Sequence, residues 1–441
     1  MTGESNKLLT QNAKLLNYIR FFNGIGRSEL SRSLQLSMPS IYNAVDALSA
    51  ENILIKNGSN IELNINYGVL IGISIGTSLT KIVFLNFRFE PFSSDTFNTH
   101  KEILCSLIKD IIGNDDLLLK CISEAKKRNY IYFHTPNNFS CIKSILNCIF
   151  LYIENCVKNH TLNVLSIGLS CTGIVNDKNQ TILDSHNLEC LNNVPLDTLV
   201  SPECQNFLSE NDIPVYLVQN SNASVIAEKI DLYLSNSPFK SKTNIVSLYL
   251  GVGIGSGLYL NSLYTGSQGY AGEISHTYCP IVESNGEIKH IQKLIEDNII
   301  DSSCPWGCND CYDYKIRSFV FEKKANEFCD MSSQEIYDYL SMETNGRKRE
   351  LLSAYLGNMV NVITNFLNTD LVVFTGKFYK SMGLLMNSID NILDQNSMRY
   401  NRNNCKILVS RYGPLSSAIG AAIYSYHKKY NLELSWNYEV D

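Results

Sequence analysis

No apolar run in this 441-residue chain reaches the roughly 20 residues that crossing a bilayer requires, and the polar N-terminus, MTGESNKLLT, lacks the hydrophobic core of a secretory signal. The expectation is a cytoplasmic protein with no membrane partner. A basic surplus is missing as well. The net charge of −6 excludes a chain that coats nucleic acid along its whole length. It leaves room for a small DNA-reading module inside a larger acidic protein, so charge has to be read locally. Nor is there a disulfide framework. Cys105, Cys121, Cys141, Cys148 and Cys156 stand singly in apolar segments, as small buried hydrophobes do, and of fourteen cysteines only Cys304, Cys308 and Cys311 cluster. What is present is a globular composition, 44% hydrophobic and 18% charged, long enough for a large core divided into two or three domains.

Between residues 11 and 54 apolar positions recur at helical spacing in three segments, NAKLLNYIRFF, SELSRSLQL and MPSIYNAVDALSAENIL. Leu15, Leu16, Ile19 and Phe22 form the inner stripe of the first, Leu30 and Leu34 that of the second, and Ile41, Val45 and Leu48 that of the third. Ser28, before Glu29, is the expected N-cap of the second helix; Ser37, followed by Pro39, is that of the third. NILIKNGSNIELNI then reads as two β-runs around Asn57-Gly58, a strong hairpin signal. Three helices and a hairpin predict a winged helix-turn-helix over residues 1–66. Its third helix opens with short polar residues and turns Ser40, Tyr42 and Asn43 outward, as a helix reading a major groove does. With Arg27 and Ser37 these make the expected DNA-binding set, and Lys14, Arg20, Arg32 and Lys56 are within reach of phosphates. The same architecture also serves protein contacts. Its charge is nearly balanced, so DNA binding would depend on doubling the module in a dimer.

Past Tyr67 the pattern changes. VLIGISIGTSLTKIVFLNF is an apolar strand, a turn at Gly76-Thr77-Ser78 and a second apolar strand. This looks like the start of an actin-type nucleotide-binding lobe, in which turn N–H groups meet phosphates and a first-strand carboxylate handles the metal. Ser74 stands at that carboxylate's position. Residues 97–160 are predicted to be largely helical, with YIYFHTPNNFS as a loop or short strand. NVLSIGLSCTGIVNDKNQTIL follows as a strand, a turn at Thr172-Gly173 and another strand. A further strand over 214–218 runs into Gln219-Asn220-Ser221-Asn222-Ala223. There Asn220 and Asn222 either project into a cleft, where ligands of open α/β sheets sit, or cap the next helix. Near the C-terminus LVVFTGKFYKSMGLLMNSI reads as strand, turn and helix, with Lys377 solvated. SSAIGAAIYSYHKKY closes the chain as a small-residue helix suited to close packing on a sheet.

Residues 248–276, LYLGVGIGSGLYLNSLYTGSQGYAGEISH, carry the densest signal. Gly251, Gly253, Gly255 and Gly257 alternate with Val252, Ile254 and Ser256, while Leu248, Leu250, Leu258 and Leu260 pack a sheet. The ladder either admits a ligand close to the backbone or simply relieves crowding in a β-hairpin. Glu273 and His276, three residues apart, share one face of a helical turn or one loop, where a carboxylate can accept from sugar hydroxyls and an imidazole can bind metal or hydroxyl.

In their order these blocks resemble the ROK family, whose name joins repressors, open reading frames and sugar kinases, from about residue 10 to the C-terminus. IGLSCTGIV resembles its sugar-side strand turn, residues 214–223 its Pro-Val strand into Asn-Asp-Ala-Asn, residues 251–255 its Gly-Thr-Gly-Ile-Gly block, and residues 271–276 its Ala-Gly-Glu-x-Gly-His block. The resemblance implies a two-lobed α/β actin-like ATPase (ribonuclease H-like) body over residues 67–441. It implies a sugar at Thr172, Gly173, Asn220, Ser221, Glu273, His276 and Asp313. It also implies a structural zinc on His276 and the cysteines of a following loop, here Cys304-Pro305-Trp306-Gly307-Cys308-Asn309-Asp310-Cys311-Tyr312-Asp313. Trp306 replaces the family's middle cysteine and Cys308 offers a thiolate two positions on, so His276, Cys304, Cys308 and Cys311 are the expected tetrahedral set, with Cys279 as a competing donor.

The family's kinases take the sugar's proton with an aspartate where this chain has Ser221. A serine without a partner cannot do so near neutral pH, which forfeits the ~10² to 10⁴-fold assistance of a general base. Ser74 replaces the metal-handling aspartate, and Val252 replaces the threonine of the phosphate block. The family's repressors, unlike its kinases, carry an N-terminal helix-turn-helix. The expectation is therefore a sugar-responsive DNA-binding transcriptional regulator, a repressor, that has no catalytic residue, needs no ATP and works as a homodimer or homotetramer on operator DNA. The alternative is an active ATP-dependent sugar kinase of the same family.

Overall fold

A computed structural model describes residues 3–123, 129–277, 281–282, 288–289, 311–316 and 331–436. The N-terminal part forms α1 (Gly3–Gln11), α2 (Ala13–Phe21), α3 (Arg27–Leu34), α4 (Met38–Ala50) and a hairpin of β1 (Leu54–Asn57) and β2 (Asn60–Leu63). One helix, α1, precedes the three that periodicity predicts. Ser37 caps α4 as expected, its Oγ accepting from Ser40 N at 3.2 Å, with Pro39 in the first turn. Ser28 does not cap α3. That helix starts two residues earlier, at Arg27 with Gly26 as its N-cap, because Gly26 is held extended by pairing with Asn60 of the hairpin and so fixes the chain's entry.

The inner stripes are buried as predicted except for Phe22, which caps the end of α2 and is partly exposed, and α2 buries every residue from Leu15 to Phe21. Its second face packs on the body: Phe21 stacks on Tyr233 with centroids 4.5 Å apart. This overturns the expectation that Arg20 reaches DNA. Arg20 is fully buried; it donates to Phe87 O at 3.2 Å, to Tyr426 Oη at 3.4 Å and to Asn17 Oδ1, and its guanidinium lies 3.9 Å from the centroid of Phe89.

The chain divides into two compact units, residues 1–241 with 417–441, and residues 242–416. The first is built on a mixed sheet of β3 (Val69–Ile75), β4 (Leu79–Leu85), β5 (Tyr130–His134), β6 (Val164–Cys171) and β7 (Val215–Gln219), in the order β7-β6-β3-β4-β5. Ile71, Ile73, Ile82, Phe84 and Leu169 face α5 (Ser94–Ile112) and α6 (Phe139–Lys158) to make the main core. By length and composition α6 could cross a bilayer, contrary to the sequence reading; in this fold its Ile142, Ile145, Leu146, Ile149 and Ile153 fill that core. The opposite face carries α7 (Asn220–Leu234) and the C-terminal helix Ser416–Lys429. This helix lies directly on the sheet: a Cβ at Gly72 would fall 2.0 Å from Ala418 O, and one at Gly168 1.9 Å from Ala421 O.

The second unit repeats the plan with β8 (Asn244–Leu250), β9 (Ile254–Leu260), β10 (Ser262–Tyr264), β11 (Leu371–Gly376) and β12 (Lys406–Val409), in the order β10-β9-β8-β11-β12. In both units a hairpin runs antiparallel at one side and parallel strands follow at the other. Lys377, expected to be solvated, is 7% exposed, because β11 runs straight into a 3-10 turn, Lys377–Leu384, whose Phe378, Ser381 and Met382 are also buried.

Candidate functional site

In the first unit the predicted residues gather where β3, β6 and β7 end. Ser74 is 1% exposed; its Oγ lies 2.9 Å from Ser417 Oγ and donates to Asn220 Oδ1 at 3.4 Å. Gln219 occupies the N-cap of α7 without a side-chain cap bond, so Asn220 is not a cap: its amide turns toward Ser74. Ser221 and Asn222 follow in the first helical turn, each 4% exposed. Thr172 N donates to Ile75 O at 3.2 Å, which sets the Thr172-Gly173 turn beside the end of β3, and both turn residues are partly exposed. Ser417 belongs to this cluster although its sequence gave no cue, since an SSAIG run reads only as a helix start.

In the second unit the glycine ladder is a β-hairpin: Gly251 N donates to Gly253 O at 2.9 Å and closes the turn between β8 and β9. Asp313, 4% exposed, straps this turn, its Oδ1 accepting from Ile254 N at 2.9 Å. The space lined by residues 250–254, Asp313 and Phe378 is about 10 Å³, room for one water at most. From β9, Ser256 Oγ donates to Gly272 O. Gly272 has φ +105°, and a Cβ there would fall 2.3 Å from Ser256 O, so only glycine lets the turn sit against the strand. That turn carries the predicted pair. Glu273 precedes the 3-10 turn Ile274–His276, with His276 Nε2 3.9 Å from Glu273 Oε2 and the two side chains 21% and 40% exposed respectively.

Cys311 is fully buried and opens the short helix Tyr312–Lys315, which packs against the turn Ile274–His276. Cys304, Cys308 and the competing Cys279 lie outside the described residues. Among the described residues no three His, Cys, Asp or Glu side chains gather closely enough to hold a metal.

On the N-terminal module Ser37, Ser40, Tyr42 and Asn43 are exposed along the start of α4. Arg27 lies over the Tyr42 ring, 4.8 Å from its centroid, and 3.6 Å from Asp46. Lys56 of the hairpin bonds the same carboxylate at 2.7 Å. The Lys56 hydrogen bond, aided by Arg27, holds the Asp46 carboxyl below its usual range. Asp46 was not among the residues predicted from sequence; its place one turn after Tyr42 on the outward face was the available signal.

The model of the ROK family matches residues 112–428. The xylose repressor of Caldicellulosiruptor bescii is 24% identical over 446 residues, covering 94% of each chain. An N-acetylmannosamine kinase of Haemophilus influenzae is 32% identical over 123 residues, 28% of this chain and 36% of its own. Among solved structures, a ROK family transcriptional regulator, a homologue of the E. coli Mlc protein, superposes with TM-score 0.64 at 15% identity over 96% of this chain and 98% of its own. A ROK family glucokinase from Streptomyces griseus, in complex with glucose and AMPPNP, superposes with TM-score 0.54 at 14% identity over 81% of this chain and 99% of its own.

Proposed function

This chain belongs to the ROK family, and on that premise we propose that it is a sugar-responsive DNA-binding transcriptional repressor whose actin-like body senses the effector. The observation that carries the reading is the joining of an exposed helix face, Ser40, Tyr42 and Asn43, to a body in which both positions needing a carboxylate for phosphoryl transfer, Ser74 and Ser221, hold buried hydroxyls. The alignment with the xylose repressor over 94% of both chains supports it, as does the fold match to a ROK regulator over nearly the whole length.

Residues 1–66 act as a winged helix-turn-helix. Helix α4 enters the major groove, and Arg27, Ser37, Ser40, Tyr42 and Asn43 face bases and phosphates. The candidate sugar contacts, taken unit by unit, are Thr172, Gly173, Asn220 and Ser221 in the first and Glu273 and His276 in the second. Asp313 orders the glycine hairpin. A sugar that binds better to the arrangement with low operator affinity weakens operator binding by the same factor, commonly about 5 to 150-fold. A homodimer supplies the two half-site readers that a weakly charged module needs.

We also propose that His276 and Cys311, with Cys304 and Cys308, hold a structural zinc that ties the Glu273 turn to the helix Tyr312–Lys315; the support is the packing of these two segments against each other and the sulfur and nitrogen donors they offer. Metal analysis of purified protein is expected to give one zinc per chain, lost in Cys311→Ser.

Operator binding followed by fluorescence anisotropy, on fragments from upstream of the gene and its neighbours, tests the reading. Release by one member of a sugar panel, beginning with xylose, is expected. ATP turnover with any hexose, abolished by Glu273→Ala, would sink it.

A further inference from the structure

Across the face of the first sheet that carries α7 and the C-terminal helix, one polar row spans three adjacent strands. Lys81 on β4 and Ser170 on β6 both pair in register with Ser74 on β3. Paired residues project to the same face on strands about 4.8 Å apart, so these side chains stand side by side. The next row is Val83, Gly72 and Gly168, apolar and closed by the C-terminal helix. The polar row is thus the last before the partly exposed turns at Gly76-Thr77-Ser78 and Thr172-Gly173.

Ser74 is hydrogen-bonded to Ser417 and Asn220, but the other two polar groups of the row are not satisfied internally. Lys81 is 5% exposed and has no hydrogen bond or ion pair among the described residues. Ser170 Oγ and, on the first turn of α7, Asn222 Oδ1 are buried without a partner. Burial alone pushes the Lys81 ammonium down to about 8, with no carboxylate opposing it; at neutral pH most of it still carries charge. Such a cation is rarely left without a counter-ion. Two helices begin at the row: Ser74 Oγ meets Asn220 at the head of α7 and Ser417 at the head of the C-terminal helix. Their free N–H groups favour negative charge. At the rim, His134 of β5 is already held by Asp115, Nδ1 to Oδ2 at 3.0 Å.

We propose that Lys81, Ser74 and Ser170, with the head of α7, form an anion subsite that takes a phosphate monoester directly, without a divalent cation. Resting on the reading of the body as a sugar sensor, this makes the effector a phosphorylated sugar.

The test uses the full chain in EDTA, with thermal shift and calorimetry against inorganic phosphate, a neutral pentose and hexose, their terminal phosphate monoesters, and ATP with and without magnesium. Inorganic phosphate stabilises the wild type, and one sugar phosphate binds at least about tenfold more tightly than its parent sugar. Lys81→Met removes that preference and Lys81→Arg keeps part of it. Lys81→Met should fold at least as well, since it deletes a buried unpaired charge; Lys81→Gln repeats the measurement if it does not. Equal stabilisation of Lys81→Met by phosphate, no response of the wild type, or binding of magnesium-ATP alone overturns the subsite. Operator release by neutral sugars with no advantage to their phosphates also overturns it while leaving the repressor reading intact. Stabilisation by a sugar phosphate in a protein that binds no operator sinks the repressor reading and leaves the subsite standing.

Discussion

At the residue scale, the body depends on positions where a single atom decides. A methyl group at Gly168 would meet Ala421 O at 1.9 Å, backbone that cannot yield without lifting the C-terminal helix. Gly168→Ala is expected to cost at least about 1–3 kcal/mol, read from urea unfolding. His427, on the same helix, is fully buried against Trp436 with centroids 4.9 Å apart. Burial, then the positive charge of Arg20, pushes its imidazole down to about 3. The folded value lies below the unfolded one near 6.5, so the unfolded chain binds the extra proton. Stability from this group is complete above pH 6.5 and is lost progressively as pH falls toward 3. Thermal unfolding between pH 7 and 4.5 should therefore fall less steeply for His427→Phe than for wild type; parallel profiles would refute the burial argument. No periodicity marks His427 as special, because its environment comes from α2 and the chain after residue 430.

At the scale of elements, α2 and α4 differ in how much of them the sequence disclosed. The stripe of α4 leaves one face free, and Ser40, Tyr42 and Asn43 are exposed as its period predicts. The stripe of α2 is equally clear, yet its outer face is covered by Phe87, Phe89, Tyr233 and Tyr426, more than two hundred residues away for the last two. Arg20→Met leaves Phe87 O and Asn17 without a donor and is expected to destabilise by about 2–4 kcal/mol. It should also speed proteolytic release of the N-terminal module. On α4, Asp46 neutralises Arg27 and Lys56. Asp46→Asn frees both cations for phosphate, so operator affinity should rise and its salt dependence steepen, seen by anisotropy at several KCl concentrations. Weaker binding would mean instead that Asp46 positions Arg27.

At the scale of the whole molecule, the repressor reading rests on thermodynamic linkage. If a sugar ligand lowers operator affinity by some factor, operator DNA must lower affinity for that ligand by the same factor, and calorimetry with and without an operator duplex checks it. Unequal factors would mean that the two ligands do not compete through one equilibrium. The order of motifs along the chain determined the family, the two lobes and the N-terminal helices with their hairpin, since glycine turns, caps and alternating apolar runs are local properties that each segment carries with it. The sequence alone also set Glu273 beside His276, because three residues span one helical turn. Only the tertiary structure decided what surrounds Lys81, Ser170 and Arg20. Burial and counter-charge are set by strands and helices distant in sequence, so a lysine in an apolar strand became an unpaired cation beside two helix heads, and an arginine on an N-terminal helix became part of the core.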